Sequence, residues 1–323
     1  MAAPRPKSHP RRRPSSSVRE EVARFEAEAE DWWNVAGAFA PLHRLNPVRI
    51  AFIRDAAGAH FGRVARANLP SPTEAGFAKA GPRAHLTMRP RRGALAGLDV
   101  LDVGCGGGLL CEPMARLGAR VTGIDAGQDN IRVAAAHARA GGLAIAYRAA
   151  TPEDLVRERA RFDVVLNMEV IEHVADAGAF VATSAALVRP GGIMVLATLN
   201  RTLKSLLLGK VAAEYVLRWI PPGTHDWRKF VPPGDLAAML ASAGMTATDV
   251  AGVVFDPWRG EWRLKADDMA VNYMMVATKE TRRRKRSSRR SRAQPLRRGV
   301  PGRRKTSMPS SSSRRASSAV ASP

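Results

Sequence analysis

The run Met168-Glu169-Val170-Ile171-Glu172-His173 holds two carboxylates and an imidazole at i, i+3 and i+4. On one helical turn these three side chains share a face. Together they could hold a divalent ion, and an acidic hydroxyl bound to that ion would give up its proton more readily. Hard oxygen ligands suit magnesium, although an imidazole is less typical of it. The same residues offer a metal-free route. His173 could take the proton itself as a general base, with Glu169 as a second candidate.

A second chemical signal precedes this one. Asp102-Val103-Gly104-Cys105-Gly106-Gly107-Gly108 places glycines where a first strand would turn into its helix. Such a turn lets backbone approach a ligand closely. The dehydrogenase pattern G-x-G-x-x-G needs a third glycine where Leu109 stands, and no lysine follows as a P-loop requires. Asp125 closes the next apolar run, Val121–Ile124, and could accept both ribose hydroxyls of a nucleoside. A nucleoside carrying an amino acid rather than a pyrophosphate fits this loop, which points to S-adenosylmethionine (SAM). A plain tight turn, with Asp125 capping the next helix, is the alternative for each feature taken singly.

Elements must bring these residues together. Strand-like runs recur at Leu98–Val103, Arg120–Asp125, Ala144–Arg148, Phe162–Asn167 and Ile193–Leu199. Helical stretches separate them at Leu109–Leu117, Asn130–Ala140 and Ala177–Val188. This rhythm predicts an α/β fold, a doubly wound and mostly parallel sheet with helices on both faces. Its carboxyl edge, where sites form, carries the glycine loop, Asp125 and the acidic run. Residues 234–244 read as another helix, and Val250–Phe255 with Tyr273–Thr278 as a closing antiparallel pair. Residues 18–40 and 41–60 read as helices ahead of the sheet.

The run LDVGCGGGLLCEPMARLGARVTGIDA resembles the first two motifs of class I SAM-dependent methyltransferases. More narrowly, residues 20–279 resemble the O-methyltransferases of ubiquinone biosynthesis. The matches are WWNVAGAFAPLHRLNPVRIAFIRD at 32–55, FDVVLNMEVIEHVAD at 162–176, the segment 197–233 and VNYMM at 271–275. The resemblance implies a Rossmann-like, seven-stranded sheet. It implies SAM contacts at Arg49, Gly104, Asp125 and Met168, and magnesium at Glu169, Glu172 and His173. A guanidinium such as Arg49 suits the methionine carboxylate, and Met168 could wall the adenine. The implied acceptors are phenolic hydroxyls of 2-polyprenyl-6-hydroxyphenol and 3-demethylubiquinol. Other enzymes of ubiquinone biosynthesis become candidate partners. His225, Asp226, Lys204 and Asn200 are further polar candidates on the acceptor side.

Charge and composition set the boundaries. Of the net +22, five charges lie in residues 1–17 and fifteen in 281–323, leaving +2 for the body at 18–280. The expected organisation is a disordered basic arm (1–17), a helical segment (18–65), a linker (66–97), the SAM-dependent methyltransferase domain (98–280) and a disordered basic tail (281–323). The tail has no Phe, Tyr or Trp for base stacking, so a nucleic-acid partner is not expected. Another small phenol as acceptor is the nearer rival. Two cysteines, Cys105 and Cys111, make no disulfide framework. No apolar run reaches roughly 18 residues, so no membrane-spanning helix is expected. Within 202–220, ten large apolar or aromatic residues mix with Lys204, Lys210 and Arg218. That insertion is either a buried lid or an interfacial segment on an anionic membrane. A polyprenyl substrate favours the second, which places the protein in the cytoplasm, peripheral on the inner membrane.

Overall fold

A computed structural model describes residues 18–62, 93–206 and 227–281. Residues 1–17, nearly all of the linker, most of the 202–220 insertion, His225, Asp226 and the tail from 282 onward lie outside the described residues.

The chain enters through α1 (Arg19–Ala27), a 3₁₀ turn (Ala29–Asp31) and α2 (Ala40–His60). The sheet then alternates with helices: β1 (Asp99–Val103), α3 (Cys111–Arg116), β2 (Arg120–Asp125), α4 (Gln128–Ala140), β3 (Ala146–Ala149) and α5 (Pro152–Arg157). It continues as β4 (Phe162–Met168), α6 (Ala177–Leu187), β5 (Val188–Leu199), the single turn α7 (Leu203–Ser205), α8 (Pro233–Ser242), β6 (Met245–Asp256), β7 (Glu261–Lys265) and β8 (Asn272–Lys279). The strand order is β3-β2-β1-β4-β5-β8-β6-β7. The first five strands are parallel, and β8 closes against β5 and β6 in antiparallel register.

β1, β4 and β5 are buried on both faces, as parallel strands under two helix layers must be. Val100, Val164, Ile193 and Val195 face one core with Phe52 and Ile53 of α2 and Met114 of α3. Leu101, Val103, Val165 and Leu196 face the other, with Phe180 of α6 and Leu236 and Leu240 of α8. The direction of winding reverses between β1 and β4. The carboxyl ends of β1, β2 and β4 therefore open onto one crevice, where an α/β sheet binds its ligands.

Four details differ from the sequence pattern. The seven expected strands are joined by an eighth, β7, which hairpins onto β6. α5 follows β3, opened by a capping box between Thr151 and Asp154 with Pro152 at its first position. Residues 18–40 are not one helix: the chain breaks after Ala27 and turns repeatedly, bringing Trp32 and Phe39 to the crevice. Lastly, Glu169–His173 is not a helical turn. Glu169 takes a positive φ of 59° and only Ile171–His173 forms a 3₁₀ turn, so the three polar side chains do not share one helical face.

Candidate functional site

β1 ends at Val103 and the glycine loop follows. Gly104, Gly106 and Gly108 all have positive φ, a conformation costly for side-chain-bearing residues. At Gly106 space matters as much as backbone: a Cβ would lie 2.3 Å from the Trp32 ring. The loop is anchored by Cys105 N–H donating to the Ile124 carbonyl at 2.9 Å. Beneath it, the Cys111 thiol donates to Asp102 Oδ2 at 3.3 Å. Both cysteines are free and buried. Burial pushes the Asp102 carboxyl up to about 7, against lowering by the Cys111 contact and the Arg49 charge.

Asp125 sits across the loop at the end of β2. Its Oδ2 accepts from Gly106 N–H at 3.0 Å, and its Oδ1 from Gly127 N–H at 2.8 Å and Asn130 Nδ2 at 3.1 Å. Burial raises its pKa, and these three donors oppose the rise.

The crevice is a cavity of about 740 Å³. Arg49, Gly104, Asp125, Met168, Glu169 and His173 all line it, so six of the seven principal sequence-derived site residues come together. Glu172 does not line it. That residue is buried and its Oε2 accepts from the Thr198 hydroxyl at 2.9 Å. Burial and the neighbouring Glu169 charge hold Glu172 well above the usual carboxylate range. Glu169 behaves oppositely. Burial would raise it, but the charge and hydrogen bond of Arg49, 2.9 Å away, hold it below its ordinary value.

His173 turns away from both glutamates. Its Nδ1 lies 3.3 Å from Glu21 Oε2 on α1, and its ring meets Phe25 edge-on. The contact with His173 is the main reason the Glu21 carboxyl is held low. Glu169, Glu172 and His173 therefore do not form a three-ligand magnesium site: the two glutamates hydrogen-bond each other, with Arg49 on Glu169 and Thr198 on Glu172, while His173 pairs with Glu21. Among the described residues no cluster of three His, Cys, Asp or Glu side chains converges as a metal site.

Of the further candidates, Lys204 lines the cavity and Asn200 holds the Met269 carbonyl at 2.8 Å as part of the frame. The sequence pattern missed the roof. Val22 and Phe25 of α1, Trp32, Phe39 and Leu42 close the cavity from above. The opposite wall is also apolar, built from Leu199, Val253, Phe255, Trp262 and Val271. β7 supplies Trp262, and its alternating Glu-Trp-Arg-Leu-Lys was a readable strand signal.

Asp125 and the glycine loop line one cavity together with many apolar side chains, an arrangement compatible with a SAM-dependent methyl transfer. Comparison with known proteins agrees. A methyltransferase-domain family model matches residues 71–250. The ubiquinone biosynthesis O-methyltransferase of Methylocella silvestris is 53% identical over 82% of this chain and 96% of its own length. That of Caulobacter vibrioides is 51% identical over 80% and 94%. The chain belongs to the ubiquinone biosynthesis O-methyltransferases. As a member of this family, it carries its glycine loop after β1 and Asp125 at the end of β2, and Trp32 lines the cavity beside them. Among solved structures, a SAM-dependent methyltransferase of Thermotoga maritima aligns at a TM-score of 0.47 and 15% identity, over 81% of this chain and 99% of that one.

Proposed function

We propose that the enzyme methylates phenolic hydroxyls of polyprenylated ubiquinone precursors, 2-polyprenyl-6-hydroxyphenol and 3-demethylubiquinol. The supporting observation is the lining of the cavity, in which Asp125 and the glycine loop share one space with many apolar side chains and with the His173–Glu21 pair. Methyl transfer is an in-line displacement in which the phenolic oxygen bonds the methyl carbon as the carbon–sulfur bond breaks. S-adenosylhomocysteine (SAH) leaves, and the phenolic proton must go to a base. The protein's task is to orient the two reactants and receive that proton.

His173 is the base in this reading. Glu21 at its Nδ1 orients the ring, as a carboxylate behind a histidine does. Glu169, kept ionised by Arg49, places a negative charge on the cavity wall where the sulfonium binds. Arg49 retains donors for the methionine carboxylate, and its Nε is otherwise unpartnered. Asp125 takes the ribose, and Met168 lies at the end of β4 as a soft wall for the adenine.

The deciding assay is methyl transfer from labelled SAM to a short-chain demethylated quinol, to an unrelated small phenol and to RNA. Preference for the quinol supports the reading; preference for either other acceptor ends it. Magnesium enters no step here, because among the described residues no three such side chains converge and His173 pairs with Glu21 rather than with the two glutamates. Turnover that persists in a strong chelator agrees with this, whereas loss restored by magnesium would refute the metal-free route.

Membrane attachment belongs to the same proposal. Among the described residues no helix is long and apolar enough to cross a bilayer. The 203–217 segment, rich in leucine with flanking lysines and arginine, is the anchor that would bring the enzyme to the cytoplasmic face of the inner membrane. Flotation with anionic liposomes should be lost on its deletion; equal flotation of deletion and parent rejects it.

A further inference from the structure

The roof over the cavity is wired to the ribose carboxylate. Trp32 lies flat on the glycine loop, where Cβ atoms at Gly106 and Gly107 would each fall 2.3 Å from it. Its other face stacks on Phe39, with ring centres 3.7 Å apart and planes 5° from parallel. Its Nε1–H donates to Asn130 Oδ1 at 2.8 Å, and Asn130 Nδ2 donates onward to Asp125 Oδ1 at 3.1 Å. Asn130 is 1% exposed and Trp32 7%, so neither bond competes with bulk water.

The hydrogen-bonding capacity of Asp125 makes this chain consequential. Two carboxylate oxygens offer about four acceptor positions. Gly106, Gly127 and Asn130 occupy three of them. The position left belongs to Oδ2, on the oxygen that also holds the glycine loop. The carboxylate is thus fixed in rotation, and its remaining position is aimed by the groups holding the other three. Two of those are backbone amides in the loop and the turn. The third, Asn130, is the one that a residue of the roof can orient.

We infer that Trp32 and Asn130 are positioning residues for ribose recognition, and that through them closure of the N-terminal roof and binding of the cofactor's sugar reinforce one another. This rests on the assignment of the cavity to SAM. With Trp32 in place, the Asn130 amide is held with its oxygen toward the indole and its nitrogen toward Asp125, the orientation that presents Oδ2 to the sugar. When the roof lifts, Asn130 loses its buried donor and is free to turn. Asp125 then loses one of the three bonds that hold its rotamer. The coupling must run both ways, so a ligand that engages Asp125 holds the roof down.

The test is binding of SAH, and of its 2′-deoxy and 3′-deoxy counterparts, to the full chain by calorimetry. Trp32→Phe keeps an aromatic ring on Phe39 and the glycine loop but removes the N–H. Asn130→Asp keeps an acceptor for Trp32 and replaces the donor to Asp125 with a repelling oxygen, so it breaks the chain while leaving the roof bonded. Each variant should bind SAH about tenfold more weakly, the size of one hydrogen bond to a charged group. Each should also shrink the preference for SAH over the counterpart whose missing hydroxyl Asp125 normally holds. Combining the two should cost little more than the worse of them, because both interrupt one path. Hydrogen exchange across residues 29–39 should slow on SAH binding in the parent and respond less in Asn130→Asp. SAH affinity equal to the parent's in both variants overturns the inference. So does an equal loss for SAH and both deoxy counterparts, which marks a merely structural role. A parent that binds none of these ligands overturns the SAM assignment itself, a result distinct from either.

Discussion

Asp102 is a carboxyl buried at the root of the cofactor loop, and replacing it with asparagine should make the fold less sensitive to rising pH. Its side chain is 3% exposed, its Oδ2 meets a thiol at 3.3 Å, and burial lifts its pKa from 3.8 to about 7. The folded protein thus binds this proton more tightly than the unfolded chain does. Between about pH 4 and pH 7, folding takes up a proton, and stability falls as pH rises through that window. The contribution is intact below about pH 4 and fully lost above about pH 7. A rise of roughly three pKa steps at about 1.36 kcal/mol each gives ~4 kcal/mol for the whole effect, with no reduction for solvent screening because the group is buried. The amide of Asp102→Asn cannot ionise and escapes this loss. Urea unfolding of parent and Asp102→Asn at several pH values, with one curve subtracted from the other, cancels the other titrating groups. The difference should move toward the variant by up to ~4 kcal/mol between about pH 4 and pH 8. A difference flat to within about 1 kcal/mol across that range would refute the argument that burial governs this carboxyl.

Three further outcomes follow from particular contacts. Arg49→Gln leaves Glu169 buried without its ion pair, so the unfolding free energy should drop by about 3–5 kcal/mol and SAM affinity should fall with it; denaturant melts and calorimetry read both, and an unchanged melt counts against the pair. Gly106→Ala must strain a φ of +50° and push the Trp32 ring aside, so intrinsic tryptophan fluorescence should change and SAH binding should weaken by at least about tenfold, corresponding to roughly 1–3 kcal/mol of backbone strain. Removing residues 281–323 takes away fifteen positive charges and none of the cavity-lining side chains among the described residues, so methyl transfer to a soluble quinol should persist; its loss in a folded truncation would assign the tail a part in catalysis.

Much of the β1–β5 framework was legible because each of those strands carries a local mark. Apolar runs bounded by Gly104, Gly127 or Pro190-Gly191-Gly192 stand out in any doubly wound sheet, and all five parallel strands fall on the expected runs. Two elements were legible but less conspicuous. The Thr151–Asp154 capping box opens α5, and the five alternating residues of β7 form an edge strand. The broken course of 18–40 was less legible. Val18, Val22 and Phe25 have helical spacing, yet the turns after Ala27 answer to tryptophans that must reach a loop more than seventy residues away.

The sequence by itself determined where the glycine turn, the strand-end acid and the parallel strands fall, because turn residues and apolar periodicity are local in the chain; the cofactor contacts and the acceptor class were what the family resemblance implied. Only the tertiary structure decided what those residues do to one another. The E-x-x-E-H spacing suggested one shared face. A left-handed Glu169 and a short 3₁₀ turn instead sent Glu169 to Arg49, Glu172 to Thr198 and His173 to Glu21. The roof entered the site the same way, through Trp32 and Asn130, 98 residues apart in the chain and 2.8 Å apart in space. Local pattern fixes which groups are offered at the sheet's edge. Burial then requires every polar group among them to find a partner, and those partners come from wherever the packing brings the chain.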